Sequence, residues 1–420
     1  MRGAPDPRRF RLRPGLFLAT ALGFAALSIA PLAAGDSLPG DEYATNLERL
    51  EALDLPSTSD TVTVYYSPDV SGVAATYAAT LTRAVAWFRD QLGWSDPVIM
   101  AVLDSGDYAR VTAWPYPIPH AERSTGLVIM PDSIESYPGF ERWPFDAVTL
   151  NADLTAHEIG HVIAWQTGIW SNSHWVNELV ADVFLAGYIH ALKPDDRALL
   201  AGVPAGFEDA GKVKSLAELD LYYAGIGLEN YAWFQFRLAA LADYLVADGD
   251  FAGLIGGLRA AFPKQDFLTG DAEPTTAEAF RRLEALRPGV TALAGDLTGP
   301  DSLTTIAAVA CGPEPAPVAQ EGVVVIENDG DRPLKVNQRQ LVRSLVEIDI
   351  AFETDLEGEA LEAELDRLTD EAMTGDDYAR IVPAGTRLHF QDKVGAQLHL
   401  VGGDCLIVRA DPSRFDWAGD

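Results

Sequence analysis

The sequence predicts an α+β protein. Three observations carry this. Segments with strand character come first, amphipathic helical segments follow, and beyond about residue 287 the texture changes to short β-like runs between prolines and glycines. At 420 residues the chain can bury a large core and holds more than one domain. A hydrophobic content of 48% is that of a globular protein, not a disordered or fibrous one.

The first 34 residues stand apart. "MRGAPDPRRFRLRPG" carries Arg2, Arg8, Arg9, Arg11 and Arg13, and "LFLATALGFAALSIAPLAAG" then runs without a charge from Leu16 to Gly35. A basic start, an apolar middle and small residues at Ala33 and Ala34 read as an export signal. An uncleaved N-terminal membrane anchor is the alternative, because the run is about long enough to span a bilayer. Either way the rest of the chain is expected to be extracytoplasmic, secreted or periplasmic. Residues 35–58 read as a linker with one short polar helix.

A first folded domain is expected over 59–290. "TVTVYYSP" (Thr61–Pro68) alternates and is rich in β-branched and aromatic residues, which is a strand. "VAATYAATLTRAVAWFRDQLG" has helical spacing and a closing Gly93. "PVIMAVLDS" and "TGLVIMPDS" (Thr125–Ser133) are two further strands. A helix from Asp153 to Thr167 follows, then another from about Ser173 to Leu192, stopped by Pro194. "NYAWFQFRLAALADYLVADG", "DFAGLIGGLRAAF" and "TTAEAFRRLEAL" complete a helical subdomain.

"RPGVTALAGDLTGPDS" and "CGPEPAPVAQEG" mark a linker over 291–321. Beyond it, "GVVVIEN", "SLVEIDIAF", "TRLHF", "AQLHLVGG" and "CLIVRA" predict a C-terminal β-rich accessory domain over 322–412, interrupted by the acidic helical piece "EGEALEAELDRLTDEA". No internal repeat is visible.

Lys and Arg number 31 against 62 Asp and Glu, for a net charge of −31. So acidic a surface repels phosphate backbones and excludes nucleic acid as a partner. The two cysteines, Cys311 and Cys405, lie in the last quarter. Outside the cytoplasm they are expected to form one disulfide, with two buried thiols as the alternative.

The chemistry concentrates in "ADLTAHEIGHVIAWQTGIWSNSHWVNELVADVF" (Ala152–Phe184), which holds three of the seven histidines. Residues four apart share one helix face, so His157 and His161 can aim two imidazoles at one ion. Glu158 is turned about 100° from His157, beside the ion, where a general base for a water molecule belongs. Ala156, Ile159, Gly160 and Ile163 give the helix an opposite, packable face. A catalytic zinc needs a third protein ligand, and Glu178 on the next helix supplies one if the intervening segment turns back. Asp182, one turn later, can accept the second ring N–H of a ligand histidine.

"HEIGH" followed by "WVNELVAD" resembles the gluzincin zinc metallopeptidases, the thermolysin-like superfamily, and most closely its bacterial peptidase-MA-like type. The resemblance covers about Thr61 to Arg287. It implies a small mixed sheet whose edge strand packs on the HExxH helix and pairs with extended substrate backbone, with "TGLVIMP" in that place. It implies His157, His161 and Glu178 as ligands of one Zn2+ per chain, Glu158 as the catalytic base and Asp182 as support. A peptide or protein is then the substrate. The superfamily stabilises the oxyanion with a Tyr or His from a later segment. Tyr231 in "ENYAWFQF" stands where relatives carry a tyrosine, with Tyr223 and His174 as further candidates.

Two other classes stay open: a zinc-binding but inactive relative serving as a binding module, and a zinc amidase acting on a non-protein amide. Glu158 argues against the first, since an inactive form can lose it and keep zinc. His120, His190, His389 and His399 read as structural.

Overall fold

The computed structural model describes residues 45–112, 117–222, 226–264 and 273–299, and beyond them only separate stretches of helix and strand. The mixed sheet has five strands: β1 (Ser57–Ser59), β2 (Thr63–Tyr66), β3 (Ile99–Leu103), β4 (His120–Glu122) and β5 (Leu127–Pro131). Their order is β1-β2-β3-β5-β4. The three central strands are parallel and the two outer ones antiparallel to their neighbours. Every residue of β5 is buried, as a strand covered on both faces must be.

The order corrects one expectation. "TGLVIMP" is not the edge strand: β5 lies between β3 and β4, and the edge is His120–Glu122. That strand is three residues long and leaves the proline-rich "PYPIPH", which reads as loop. So short an edge carries no period of its own and exists because β5 gives it a partner.

Helices pack on the sheet and on one another. α1 (Asn46–Ala52) is closed by a capping box between Thr45 and Glu48 and buries Leu50 against Leu103 and Tyr108. α2 (Ser71–Leu92) presents Tyr77, Leu81, Ala84, Val85 and Phe88 to the core and ends on Gly93 at φ +64°, the left-handed cap that glycine adopts without penalty. α3 (Ser105–Val111) is capped by Asp104.

α4 (Ala147–Gln166) starts two turns earlier than the sequence suggests, because Asp146 accepts the Thr149 N–H at 2.9 Å and fixes its beginning. α5 (His174–Leu192) runs antiparallel beside it: His157 meets Asp182 while His161 meets Glu178. The reversal is held by hydrogen bonds. Asn177 clasps both backbone groups of Ser171, at 3.0 and 2.7 Å. The N-terminus of α5 is capped from elsewhere, by buried Asp220 of α6 (Leu216–Tyr222), which accepts from the Trp175 N–H at 3.0 Å and the Ser173 hydroxyl at 2.7 Å. α7 (Leu228–Val246) packs on α5, and α8 (Phe251–Ala261), α9 (Thr276–Leu286) and α10 (Val290–Ala294) close the helical layer.

Further strands form two antiparallel sheets. One orders Glu273–Pro274, Thr386–Asp392, Gly322–Asn328, Asp404–Arg409 and Thr304–Ala310; the other orders Arg380–Val382, Leu334–Gln338, Gln397–Val401 and Ala316–Pro317. The acidic piece is a helix, Glu359–Met373. The expected leader over 1–34, Tyr223 and Cys311, and with Cys311 the expected disulfide, lie outside the described residues. No helix among the described residues is long and apolar enough to cross a membrane.

Candidate metal centre

α4, α5 and α7 enclose a cleft of about 370 Å³, walled further by β4 with the turn after it and by Ile134, Tyr137 and Trp143. Ligand atoms of His157, His161 and Glu178 converge at its floor, all within 4.8 Å of one another. His157 Nε2 stands 3.4 Å and His161 Nε2 3.7 Å from Glu178 Oε2. The two rings meet edge-on, centroids 4.9 Å apart. Two turns of one helix and one turn of its antiparallel neighbour thus build a three-point donor set.

The sequence leaves open whether the polar face of α4 is wet. It is not: His157 is 5% exposed, Glu158 6%, Glu178 7% and Asp182 3%. Three carboxylates buried together need compensating positive charge. His157 supplies part of it. Burial alone would lower its pKa, but the Asp182 charge and hydrogen bond, with Glu178, raise it well above the ordinary value. Burial would raise Glu178, yet the imidazoles, His161 foremost, hold it well below the carboxylate range. His161 is lowered by burial. Asp182 is raised by burial against the pull of His157. Burial lifts Glu158 to about 7. Two imidazole nitrogens and one carboxylate oxygen, buried amid excess negative charge, fit a divalent metal ion.

His157 donates from Nδ1 to Asp182 Oδ1 at 2.8 Å. With Nδ1 so engaged, Nε2 is the nitrogen turned toward Glu178 and His161. Asp182 therefore sits where the sequence places it. Tyr231, half-buried on α7, lines the same cleft. Sequence reasoning missed what joins it to the ligands: Gln235 Nε2 donates to Tyr231 Oη at 2.6 Å and to Glu178 Oε2 at 2.8 Å. The signal was present only as spacing, since Gln235 follows Tyr231 by one helical turn. His174 begins α5 on the exposed side and does not line the cleft.

Arg123 also escaped notice. It follows β4 directly and is the only lysine or arginine among the described residues lining the cleft. Its guanidinium lies 3.8 Å over the ring of Trp170. The opposite end of the cleft is apolar, with Tyr137, Trp143, Leu150, Leu154 and Phe236. Asp153 also lines the cleft; it is buried and pairs with Lys193 at 2.5 Å.

Of the remaining histidines, His190 and His120 stand outside the donor set. His190 pairs with Asp243 at 2.6 Å, away from the cleft. His120 belongs to β4, and its Nδ1 lies 3.2 Å from the Ile118 carbonyl and 3.1 Å from the Tyr108 hydroxyl. It faces the cleft without joining the donor set.

No family model matches the chain, and no curated protein matches it. Among solved structures the chain is similar to Legionella pneumophila aminopeptidase A in complex with aspartic acid, with 12% identity and a TM-score of 0.35. That match covers 79% of this chain and 34% of the other, so the chain spans about a third of the length of that protein.

Proposed function

We propose that this chain is an exported, zinc-dependent metallopeptidase of the gluzincin type. One observation carries the reading: His157, His161 and Glu178 bring their ligand atoms within 4.8 Å of one another, with Glu158 beside them, on the floor of a cleft walled by an edge strand. The reading of the first 34 residues as a leader supports export.

A zinc ion held by these three residues would supply Lewis acidity toward water and a substrate carbonyl. The rest is the work of the chain. β4 offers its outer backbone edge to an extended peptide, which pairs with it as an added strand. Glu158, raised to about 7 by burial, takes a proton from the attacking water and passes it to the leaving amine. Asp182 holds the His157 ring and its tautomer fixed. The Tyr231 hydroxyl accepts from Gln235, which directs its own proton toward the developing oxyanion.

The test has two steps. Metal content is measured in wild type, His161→Ala and Glu178→Ala; one zinc per chain in wild type, lost in both variants, is expected. Peptide hydrolysis is then compared with Glu158→Gln, expected to keep the metal and lose turnover. Wild type that binds zinc but cleaves no peptide would make the chain a binding module instead.

A further inference from the structure

The cleft is polar in a direction that can be read off the backbone. Asn151, near the start of α4, donates to the Pro131 carbonyl at the end of β5. Gly126, just before β5, lies against Gln166 at the end of α4. β5 therefore runs opposite to α4, and β4, antiparallel to β5, runs with it. Along this axis the cleft has an apolar end by Leu150 and Leu154, the donor set in the middle, and Arg123 at the end nearest the α4 C-terminus.

Arg123 does not stand alone there. Trp170 meets Trp165 edge-on at 5.1 Å, and the Lys264 ammonium lies 3.4 Å over Trp165. The series Arg123–Trp170–Trp165–Lys264 is a strip of two neighbouring indoles with a cation over each, leading out of the cleft. It lies on a chain of net charge −31, where stray anions are repelled and a local cationic strip is a selective feature. An indole shelf holds a guanidinium in plane, which suits it to bidentate contact with a carboxylate. The charge of Arg123 reaches Glu158, where it favours the ionised carboxylate.

Building on the metallopeptidase reading, the geometry points to acidic peptides as the substrate class: an Asp or Glu carboxylate binds Arg123, and a bulky apolar side chain fills the opposite end. A peptide antiparallel to β4 places the acidic residue before the cut bond and the apolar residue after it. Arg123 is thus a specificity-determining residue.

The experiment uses the full chain loaded with zinc. A peptide mixture is digested and the cut positions are read by mass spectrometry. A matched pair differing only by Glu or Gln before the bond is then assayed on wild type, Arg123→Gln and Arg123→Lys, with zinc content of each variant as the check on folding. The Glu peptide is expected to be preferred about 10- to 100-fold in kcat/KM. Arg123→Gln should collapse the ratio toward one by raising KM for the Glu peptide, and Arg123→Lys should retain part of it. Cleavage without acidic preference overturns the inference and leaves the peptidase reading standing. So does a ratio that survives in Arg123→Gln, or a variant that lowers kcat equally on both peptides. If zinc-loaded wild type cleaves nothing, both readings fall.

Discussion

His157 Nδ1 donates to Asp182 Oδ1 across 2.8 Å, the two residues buried at 5% and 3% exposure on two antiparallel helices. The carboxylate sets which ring nitrogen carries hydrogen and so which one is left for an ion. Asp182→Asn keeps the volume and removes the charge. It is expected to weaken metal binding about 10- to 100-fold while the fold survives. Competition against a metal-sensing dye measures this, and unchanged affinity would show that packing alone orients the ring.

Tyr231 and Gln235 act as a pair. Tyr231→Phe removes only the hydroxyl, so zinc content should match wild type while kcat falls about 100- to 1,000-fold. Gln235→Met breaks the bonds to both Tyr231 and Glu178 and should weaken metal binding by about tenfold besides lowering kcat. Titration with zinc and steady-state kinetics on one peptide separate the two. Equal metal loss in both variants would mean that Tyr231 serves the ligands rather than the reaction.

The donor set was legible in the sequence because it rests on helical spacing, which is local. His157 and His161 lie one turn apart, and Glu178 and Asp182 repeat that interval. What was hidden depends on contacts far apart in the chain. The edge strand His120–Glu122 exists only through pairing with β5, and no three-residue segment announces itself. Asp220 caps α5 across 45 residues, a partnership without sequence pattern. Arg123 is one arginine at the start of a turn and becomes notable only when Trp170 and the cleft come to it.

Gly160 fixes how closely α4 and α5 approach. A Cβ there would lie 2.7 Å from Phe184 Cβ and 3.2 Å from the Ala181 carbonyl, and neither can swing aside. Gly160→Ala gains up to about 1 kcal/mol of helix propensity and loses about 1–3 kcal/mol to overpacking. Net destabilisation and weaker zinc binding are expected, because His157 and His161 ride on the helix that must move. Gly256→Ala in α8, where nothing lies within 4 Å, is the control and should stabilise by about 0.5–1 kcal/mol. Urea melts of the two variants decide it; equal gains would mean that the helix contact is slack.

His120 makes the edge strand sensitive to acid. Its Nε2 has essentially no contact with solvent, and burial lowers the ring to about 4, against an ordinary value of 6.5. The folded state thus favours the neutral ring. The associated stability is fully present above about pH 6.5 and is lost as pH falls toward 4. By pH 5 the loss is about 2 kcal/mol. His120→Phe has no such term, so its stability relative to wild type should rise by that amount between pH 7.5 and pH 5. Comparing the two proteins at each pH cancels the charge effects they share. Denaturant melts at both values measure the difference. A gap that does not change with pH would mean that the ring takes up its proton as readily in the folded chain as in the unfolded one, and that acid does not loosen the edge strand through His120.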